Sequence, residues 1–363
     1  DLAAVQRGTP APICGVGESP GLESVCQQYA EDCVGGHDKF ACSKRPVPLG
    51  VRDVIQVMLE GLEVAALTAD GAVLVWKLVP EHSPDVDENP GTHMVPFEEY
   101  ERLRGAARLA TSSFRSICAL FDGQPLRCEP SSWDLGLDLD DHPLTDVVEA
   151  AHNCALEADG SVVCWGSHQF GQLGVGDLPL HVCSHKNSTR DKVKYPCSRR
   201  PIQVPRLTRV KHLSGADYWR TCAVLEDDTV RCWGMWGEGD LTDEAVLQAR
   251  SPQAVQGLER IVQIAVASRS ACALHSDGQV LCFGNNDHGE LGNGTTVSSE
   301  RAVEVSGLTD ATEIAVGNGH ACAVRRDRSV WCWGYNHDGQ LGDGTLETRL
   351  RPVQTLPPGS VAP

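Results

Sequence analysis

Five pairs of cysteines stand ten residues apart: Cys118 and Cys128, Cys154 and Cys164, Cys222 and Cys232, Cys272 and Cys282, Cys322 and Cys332. Each pair brackets the same phrase. Cys-Ala-Leu or Cys-Ala-Val leads through an Asp turn to a second cysteine, followed in the last four copies by Trp-Gly or Phe-Gly. A cysteine-free copy, Ala65-Ala66-Leu67 through Asp70-Gly71 to Val75-Trp76, replaces both cysteines together. A recurring phrase of this kind implies stacked units rather than one conventional globule. The starts at 65, 118, 154, 222, 272 and 322 are separated by 53, 36, 68, 50 and 50 residues, so one unit is shortened and its neighbour lengthened.

Within a unit, apolar residues alternate with others on both sides of the Asp turn, as in Leu156, Val162 and Cys164, which predicts an antiparallel hairpin. Strand-like runs precede it, such as 261–266 and 311–316, and glycine-rich turns such as 285–294 follow it. Units of about 50 residues with several short strands suit propeller blades. The expected fold is all-β, a β-propeller of about seven four-stranded blades, with six as the alternative count. Dividing 363 residues by about 51 gives seven slots. Residues 1–46 form a cysteine-rich segment that completes the ring in the seven-slot count, 47–356 carry the repeats with an insertion at about 178–206, and 357–363 are a tail.

The phrases Gly334-Tyr335-Asn336-His337-Asp338-Gly339-Gln340-Leu341-Gly342 and Gly166-Ser167-His168-Gln169-Phe170-Gly171-Gln172-Leu173-Gly174, with His152 and His320 two residues ahead of a cysteine, resemble the repeat of the regulator of chromosome condensation family. The resemblance covers about residues 47–356. It implies a seven-bladed propeller and is specific in fold but not in activity: its members include a nucleotide-exchange factor on chromatin, a plant ultraviolet photoreceptor and secreted bacterial inhibitors. Lys+Arg 31 against Asp+Glu 49 gives a net charge of -18, which argues against a nucleic-acid partner and against the chromatin role. The Trp residues fall mostly at the blade position, which argues against the photoreceptor role.

Facing residues of a non-hydrogen-bonded antiparallel pair lie about 4.5 Å apart at Cα, within disulfide reach. The five ten-residue pairs are therefore expected as cross-strand disulfides in most blades. Cys183 and Cys197 are expected to close the insertion, and Cys14, Cys26, Cys33 and Cys42 leave three connectivities open. Paired thiols point to a secreted, periplasmic or cell-surface protein. No uninterrupted apolar run approaches the roughly 20 residues of a membrane span.

The insertion is a cationic island, with His185, Lys186, Arg190, Lys192, Lys194, Tyr195, Arg199 and Arg200. Together with the irregular aromatics Tyr218, Trp219 and Trp236 it forms the candidate partner-binding set. A Cys2His2 reading of His181, Cys183, His185 and Cys197 lacks a standard zinc order. The run 85–91 lacks the glycine of a calcium loop, and the acidic run at Asp138, Asp140 and Asp141 reads as solvated. Asn187 and Asn293 match a glycan acceptor pattern, the second inside a glycine-rich turn. No catalytic residue, metal ligand or cofactor is assigned. The expectation is an exported noncatalytic module for a protein partner, with a carbohydrate-binding surface protein and an enzyme with a central-channel site as alternatives.

Overall fold

The computed structural model describes residues 53–60, 63–79, 93–94, 98–111, 117–128, 143–151, 153–184, 194–216, 220–235, 250–267, 269–337 and 339–356. These residues form six antiparallel sheets in chain order. Unit 1 holds β1 (Val54–Glu60), β2 (Glu63–Thr68) and β3 (Val73–Val79), with the short β4 (His93–Met94) and β5 (Glu98–Glu99) both on β3. Unit 2 holds β6 (Arg108–Thr111), β7 (Ile117–Phe121) and β8 (Gln124–Cys128). Unit 3 holds β9 (Val147–Ala151), β10 (Cys154–Glu157), β11 (Val162–Ser167), β12 (His181–Ser184) and β13 (Lys194–Gln203). Unit 4 has β14 (Val210–Ala216), β15 (Arg220–Leu225), β16 (Val230–Gly234) and β17 (Gln253–Ala254). Unit 5 has β18 (Ile261–Val266), β19 (Ser270–His275), β20 (Val280–Gly284) and β21 (Ser299–Glu304). Unit 6 has β22 (Ala311–Gly317), β23 (His320–Arg325), β24 (Val330–Gly334) and β25 (Arg349–Gln354). First strands of successive units touch one another, which makes them the inner strands of a propeller with six blades among the described residues. Six is the second of the two counts drawn from the sequence. The seventh slot falls on 1–46, which lies outside the described residues, as do Cys14, Cys26, Cys33, Cys42 and the tail.

The five ten-residue pairs face one another in register and form disulfides with Cα–Cα distances of 4.0 to 4.1 Å. Ala65 faces Val75 in the same register of unit 1. Each closed loop is worth about 2.5 to 3 kcal/mol in the chain-entropy model.

Alternation along the middle strands separates two buried faces rather than a core face from a wet one. In unit 5, Cys272, Leu274, Val280 and Cys282 pack with Ile314, Ala323 and Trp333 of unit 6. The intervening residues Ala271, Ala273 and Phe283 pack back on Cys222, Val224 and Cys232 of unit 4. The same division joins units 3 and 4, where Cys154 and Cys164 meet Ala223 and Trp233, and units 2 and 3, where Cys118 meets Ala155 and Trp165. A disulfide on one unit thus lies against the aromatic face of the next.

Two further devices couple neighbours. The indole of Trp233 donates to the Gln172 carbonyl at 3.0 Å, and that of Trp333 to the Glu290 carbonyl at 2.8 Å, so each ring is tied to the preceding glycine-rich loop. Phe283 has no such donor, and the loop before it, 235–249, contains no Gly-x-Leu-Gly. Between inner strands, the Gln56 amide bonds both the N–H (2.7 Å) and the carbonyl (3.0 Å) of Leu109. Gln263 brackets Ile314 in the same way at 3.0 Å on each side. Glu149 takes this position between units 3 and 4, accepting from the Leu213 amide at 2.7 Å and meeting His212 Nδ1 at 3.1 Å. Burial alone would raise its carboxyl, but the His212 and Leu213 hydrogen bonds hold it below the usual range.

In units 3 and 5 the glycine after the buried leucine, Gly174 or Gly292, is required by the next unit's indole. A Cβ on Gly292, at φ 60°, would lie 2.8 Å from Trp333 Nε1 and 2.9 Å from Val305 Cγ1, whereas one on Gly307, at φ 77°, meets nothing within 4 Å. Gly292→Ala is expected to cost about 3 kcal/mol, combining overpacking with left-handed strain, and Gly307→Ala about 1 kcal/mol from strain alone. Urea unfolding compares them; equal costs would show that the indole yields freely.

His320, expected at a repeat position, is buried at the start of β23, and burial pushes its imidazole down to about 4 from 6.5. Above pH 6.5 it is neutral folded and unfolded. As pH falls, the unfolded chain takes the proton first, so stability drops by about 3 kcal/mol between pH 6.5 and 4. His168, lowered chiefly by burial, adds in the same direction. The carboxylates with lowered pKa lose their contribution only as pH falls below about 5, through the unfolded values and toward the folded ones. The urea midpoint of the wild type is expected to fall across pH 6.5 to 4, and His320→Gln to remove most of that slope; an unchanged slope would exclude His320 as its source.

Candidate partner-binding surface

The described residues of the insertion at about 178–206 include two paired strands. β13 is the fourth strand of unit 3, pairing β11 through Gln203↔Val163 and Cys197↔Ser167, and its first half also carries β12 through Cys197↔His181 and Tyr195↔Cys183. Cys183 and Cys197 are therefore diagonal neighbours, 5.9 Å apart at Cα, and their disulfide clamps the added strand. The carbonyl of Pro196 accepts the His168 amide at 2.7 Å, which fixes the hairpin base to the glycine-rich loop. His168 replaces the buried asparagine that holds the same loop in units 5 and 6. Asn286 Oδ1 accepts the Leu291 amide, and Asn336 Oδ1 the Leu341 amide, both at 2.9 Å. In unit 3, His168 Nδ1 accepts the Leu173 amide at 3.3 Å, and Nε2 reaches the Gly176 carbonyl at 3.0 Å, which assigns the proton to Nε2.

Alternation along β13 sorts the expected contact residues. Lys194, Arg199 and Arg200 are exposed. Tyr195 is not available at the surface: it is 3% exposed and packs on the Cys183–Cys197 disulfide, because the register that turns Lys194 outward turns its neighbour in. Burial pushes its phenol up, against the pull of Arg199. His185, Lys186, Arg190, Lys192, Tyr218, Trp219 and Trp236 lie outside the described residues, as do 85–91, the acidic run at Asp138, Asp140 and Asp141, and Asn187. Asn293 is engaged in its own turn, its Oδ1 accepting the Thr295 amide at 3.0 Å and hydroxyl at 2.8 Å. Trp165, Trp233 and Trp333 are buried at the unit interfaces, which is the core role expected of the repeated aromatics.

The cationic stretch reaches further than the insertion. From Lys192 through Ala216 the sequence has no acidic residue and contains Lys192, Lys194, Arg199, Arg200, Arg206, Arg209 and Lys211, on a chain of net charge -18. A running count of charge along the sequence carries this signal; a search confined to the two cysteines misses Arg206 and Arg209. Arg209 pairs with Glu226 at 2.8 Å, and Lys211 with Asp228. Among the described residues no carboxylate lies within 4 Å of Lys194, Arg199, Arg200 or Arg206.

The carboxylates with lowered pKa do not converge on a reaction centre. Asp159, Asp227, Asp277 and Asp327 occupy the same turn in four units, each accepting the amide two residues on at 2.8 to 3.1 Å. Hydrogen bonds at this turn lower their pKa, chiefly from the amide at Asp159 and Asp277 and from the Thr229 and Ser329 hydroxyls at Asp227 and Asp327, a repeated structural cause. Among the described residues no group of three or more His, Cys, Asp and Glu side chains is placed to hold a metal ion, and no helix is long and apolar enough to cross a membrane.

Models of the regulator of chromosome condensation (RCC1) repeat match residues 150–172, 261–290 and 311–340, and a second such model matches 277–324 and 327–361. These are units 3, 5 and 6, the units with complete glycine-rich loops. The ultraviolet-B receptor UVR8 of Arabidopsis thaliana is 29% identical over 135 residues, 33% of this chain and 27% of the receptor, so the match spans about a quarter of that relative. Prp20p of Saccharomyces cerevisiae, a structure described with its binding to Gsp1p and histones, superposes at a TM-score of 0.62 and 18% identity, over 93% of this chain and 85% of that one. Human WBSCR16 superposes at 0.58 and 18%, over 92% and 91%. These structures show the fold, and the matched models show regulator of chromosome condensation (RCC1) repeats in units 3, 5 and 6 of a disulfide-rich β-propeller.

Proposed function

We propose that the chain is an exported noncatalytic recognition module that binds a protein partner through one face of the propeller and the clamped hairpin β12–β13. The observation that carries this reading is a rigid strand bearing Lys194, Arg199 and Arg200 exposed on an otherwise anionic protein. The ladder to β11, the Cys183–Cys197 disulfide and the Pro196 carbonyl on the His168 amide are all covalent or main-chain fixings, so presenting those cations to a partner costs little ordering entropy. The partner surface they suit is acidic, since complementary charge sets encounter rate and register. Prp20p binds proteins with this fold, which supports the class of partner by analogy of architecture alone. The twelve cysteines of the described residues all lie in disulfides, which supports an oxidising compartment and, with it, export.

The test is capture of partners from the native extracellular medium by the wild type and by the triple variant Lys194→Glu, Arg199→Glu, Arg200→Glu. The expected outcome is a protein whose affinity falls at least tenfold in the variant and declines steeply with salt in the wild type. Binding that ignores salt and the triple variant but is lost in Trp219→Ala would instead establish a carbohydrate or aromatic-anchored ligand.

A further inference from the structure

A cleft of about 730 Å³ lies at the seam between units 3 and 4. Its walls are the glycine-rich loop at 174–178, the link into unit 4 around Arg206 and Arg209, the turn at 225–227, and Ser251 and Pro252 ahead of β17. The seam between units 5 and 6 is built the same way. Gly176 donates to the Arg250 carbonyl at 2.9 Å, and Gly294, its counterpart, to the Leu350 carbonyl at 2.8 Å. The next residue differs. Arg351 lies over Gly294, where an added Cβ would be 2.6 Å from its Nε, whereas Ser251 stands in its place beside Gly176, which has nothing within 4 Å of a Cβ. An arginine covers one seam, and a serine leaves the other open.

A second exchange puts a guanidinium at the edge of the open seam. The links into units 5 and 6 read Val255-Gln256-Gly257-Leu258 and Val305-Ser306-Gly307-Leu308, with the glycines at φ 82° and 77°. The link into unit 4 reads Val204-Pro205-Arg206-Leu207, and Arg206 holds the left-handed conformation at φ 60°. A long cationic side chain at a position the repeat gives to glycine is a local departure that packing does not call for. Arg206 is exposed, and among the described residues it has no carboxylate within 4 Å, while Arg209 in the same wall is already paired with Glu226. Leu178, 44% exposed, supplies an apolar surface beside Pro205 and Pro252.

We propose that this seam binds a short extended peptide segment of a protein partner, with a carboxylate on Arg206 and an apolar side chain against Leu178, Pro205 and Pro252. The inference rests on the reading of the chain as a protein-binding module and names the part of the partner it grips. A guanidinium fork matches a carboxylate in two hydrogen bonds, and Arg206 follows the cations of β13 in the link; Asp177, Glu226 and Asp227 also line the cleft, with Glu226 paired to Arg209, so the acidic group is favoured at Arg206.

The probe is a fluorescein-labelled octapeptide, Gly-Glu-Leu-Glu-Glu-Leu-Glu-Gly, read by fluorescence anisotropy against a version with Lys for Glu and one with Gly for Leu. The Glu-Leu peptide is expected to bind at least tenfold more tightly than either control. Ser251→Arg and Arg206→Gly each install the residue of the homologous seams, so both variants are expected to melt as the wild type while binding at least tenfold more weakly. Equal binding of the Glu and Lys peptides, or wild-type binding by both variants, would overturn the proposal. Loss of the natural partner in the β13 triple variant with full retention in Ser251→Arg and Arg206→Gly would overturn the seam alone and leave the module reading standing.

Discussion

The structure depends on one register: residues ten apart face each other across the turn of each hairpin. That pairing decides which side chains leave the sheet toward the following unit and which toward the preceding one. Cysteines, or Ala65 and Val75 in unit 1, occupy the forward face, and alanines with an aromatic residue occupy the backward face. A slip of one residue would exchange the two faces and place a disulfide where a ring belongs. The covalent bond therefore does more than reduce the loop entropy of an unfolded chain; in units 2 to 6 it fixes the register on which the seams are built.

Coupling between units follows from that placement and is carried by parts that change together. An indole on the backward face meets the glycine-rich loop of the unit before it, and the loop answers with a carbonyl and with a glycine where any side chain would strike the ring. Where the preceding loop lacks its Gly-x-Leu-Gly, the ring is Phe283, which has no N–H to satisfy. A buried indole without an acceptor costs free energy that a phenyl ring does not. The Gln56 and Gln263 brackets act on the same seams from the inner edge, and Glu149 shows that a charge is tolerated there when two donors meet it.

Fold and disulfides were legible because both are written in local periodicities: ten residues for the facing pairs and about fifty for the unit. The period-two pattern was read as an antiparallel hairpin, correctly, but it cannot say that both of its faces are buried, because that depends on a neighbour some fifty residues away. Tyr195 shows the limit at the candidate surface. Its sequence neighbours are cationic, and only the pairing of β12 onto β13, set by a diagonal disulfide, shows that it points inward. Arg206 was missed for a related reason. Its oddity is a conformation, a positive φ at a glycine position, and it appears only when the link is laid beside those of units 5 and 6.

The repeats serve as internal controls for one another, and this separates scaffold from surface more sharply than composition does. What recurs in every seam, such as the facing pairs and buried leucines, is explained by packing. What departs from the repeat while leaving packing intact has no such explanation. Units 3 and 4 collect these departures: an added strand, an asparagine replaced by His168, a glycine replaced by Arg206 and an arginine replaced by Ser251. The disulfide on each side of that seam holds the register whatever the loops carry, so substitutions there alter charge and shape without loosening the ring. A basic edge on an acidic propeller is the result, at a seam where the arginine that covers its counterpart between units 5 and 6 has given way to an open cleft.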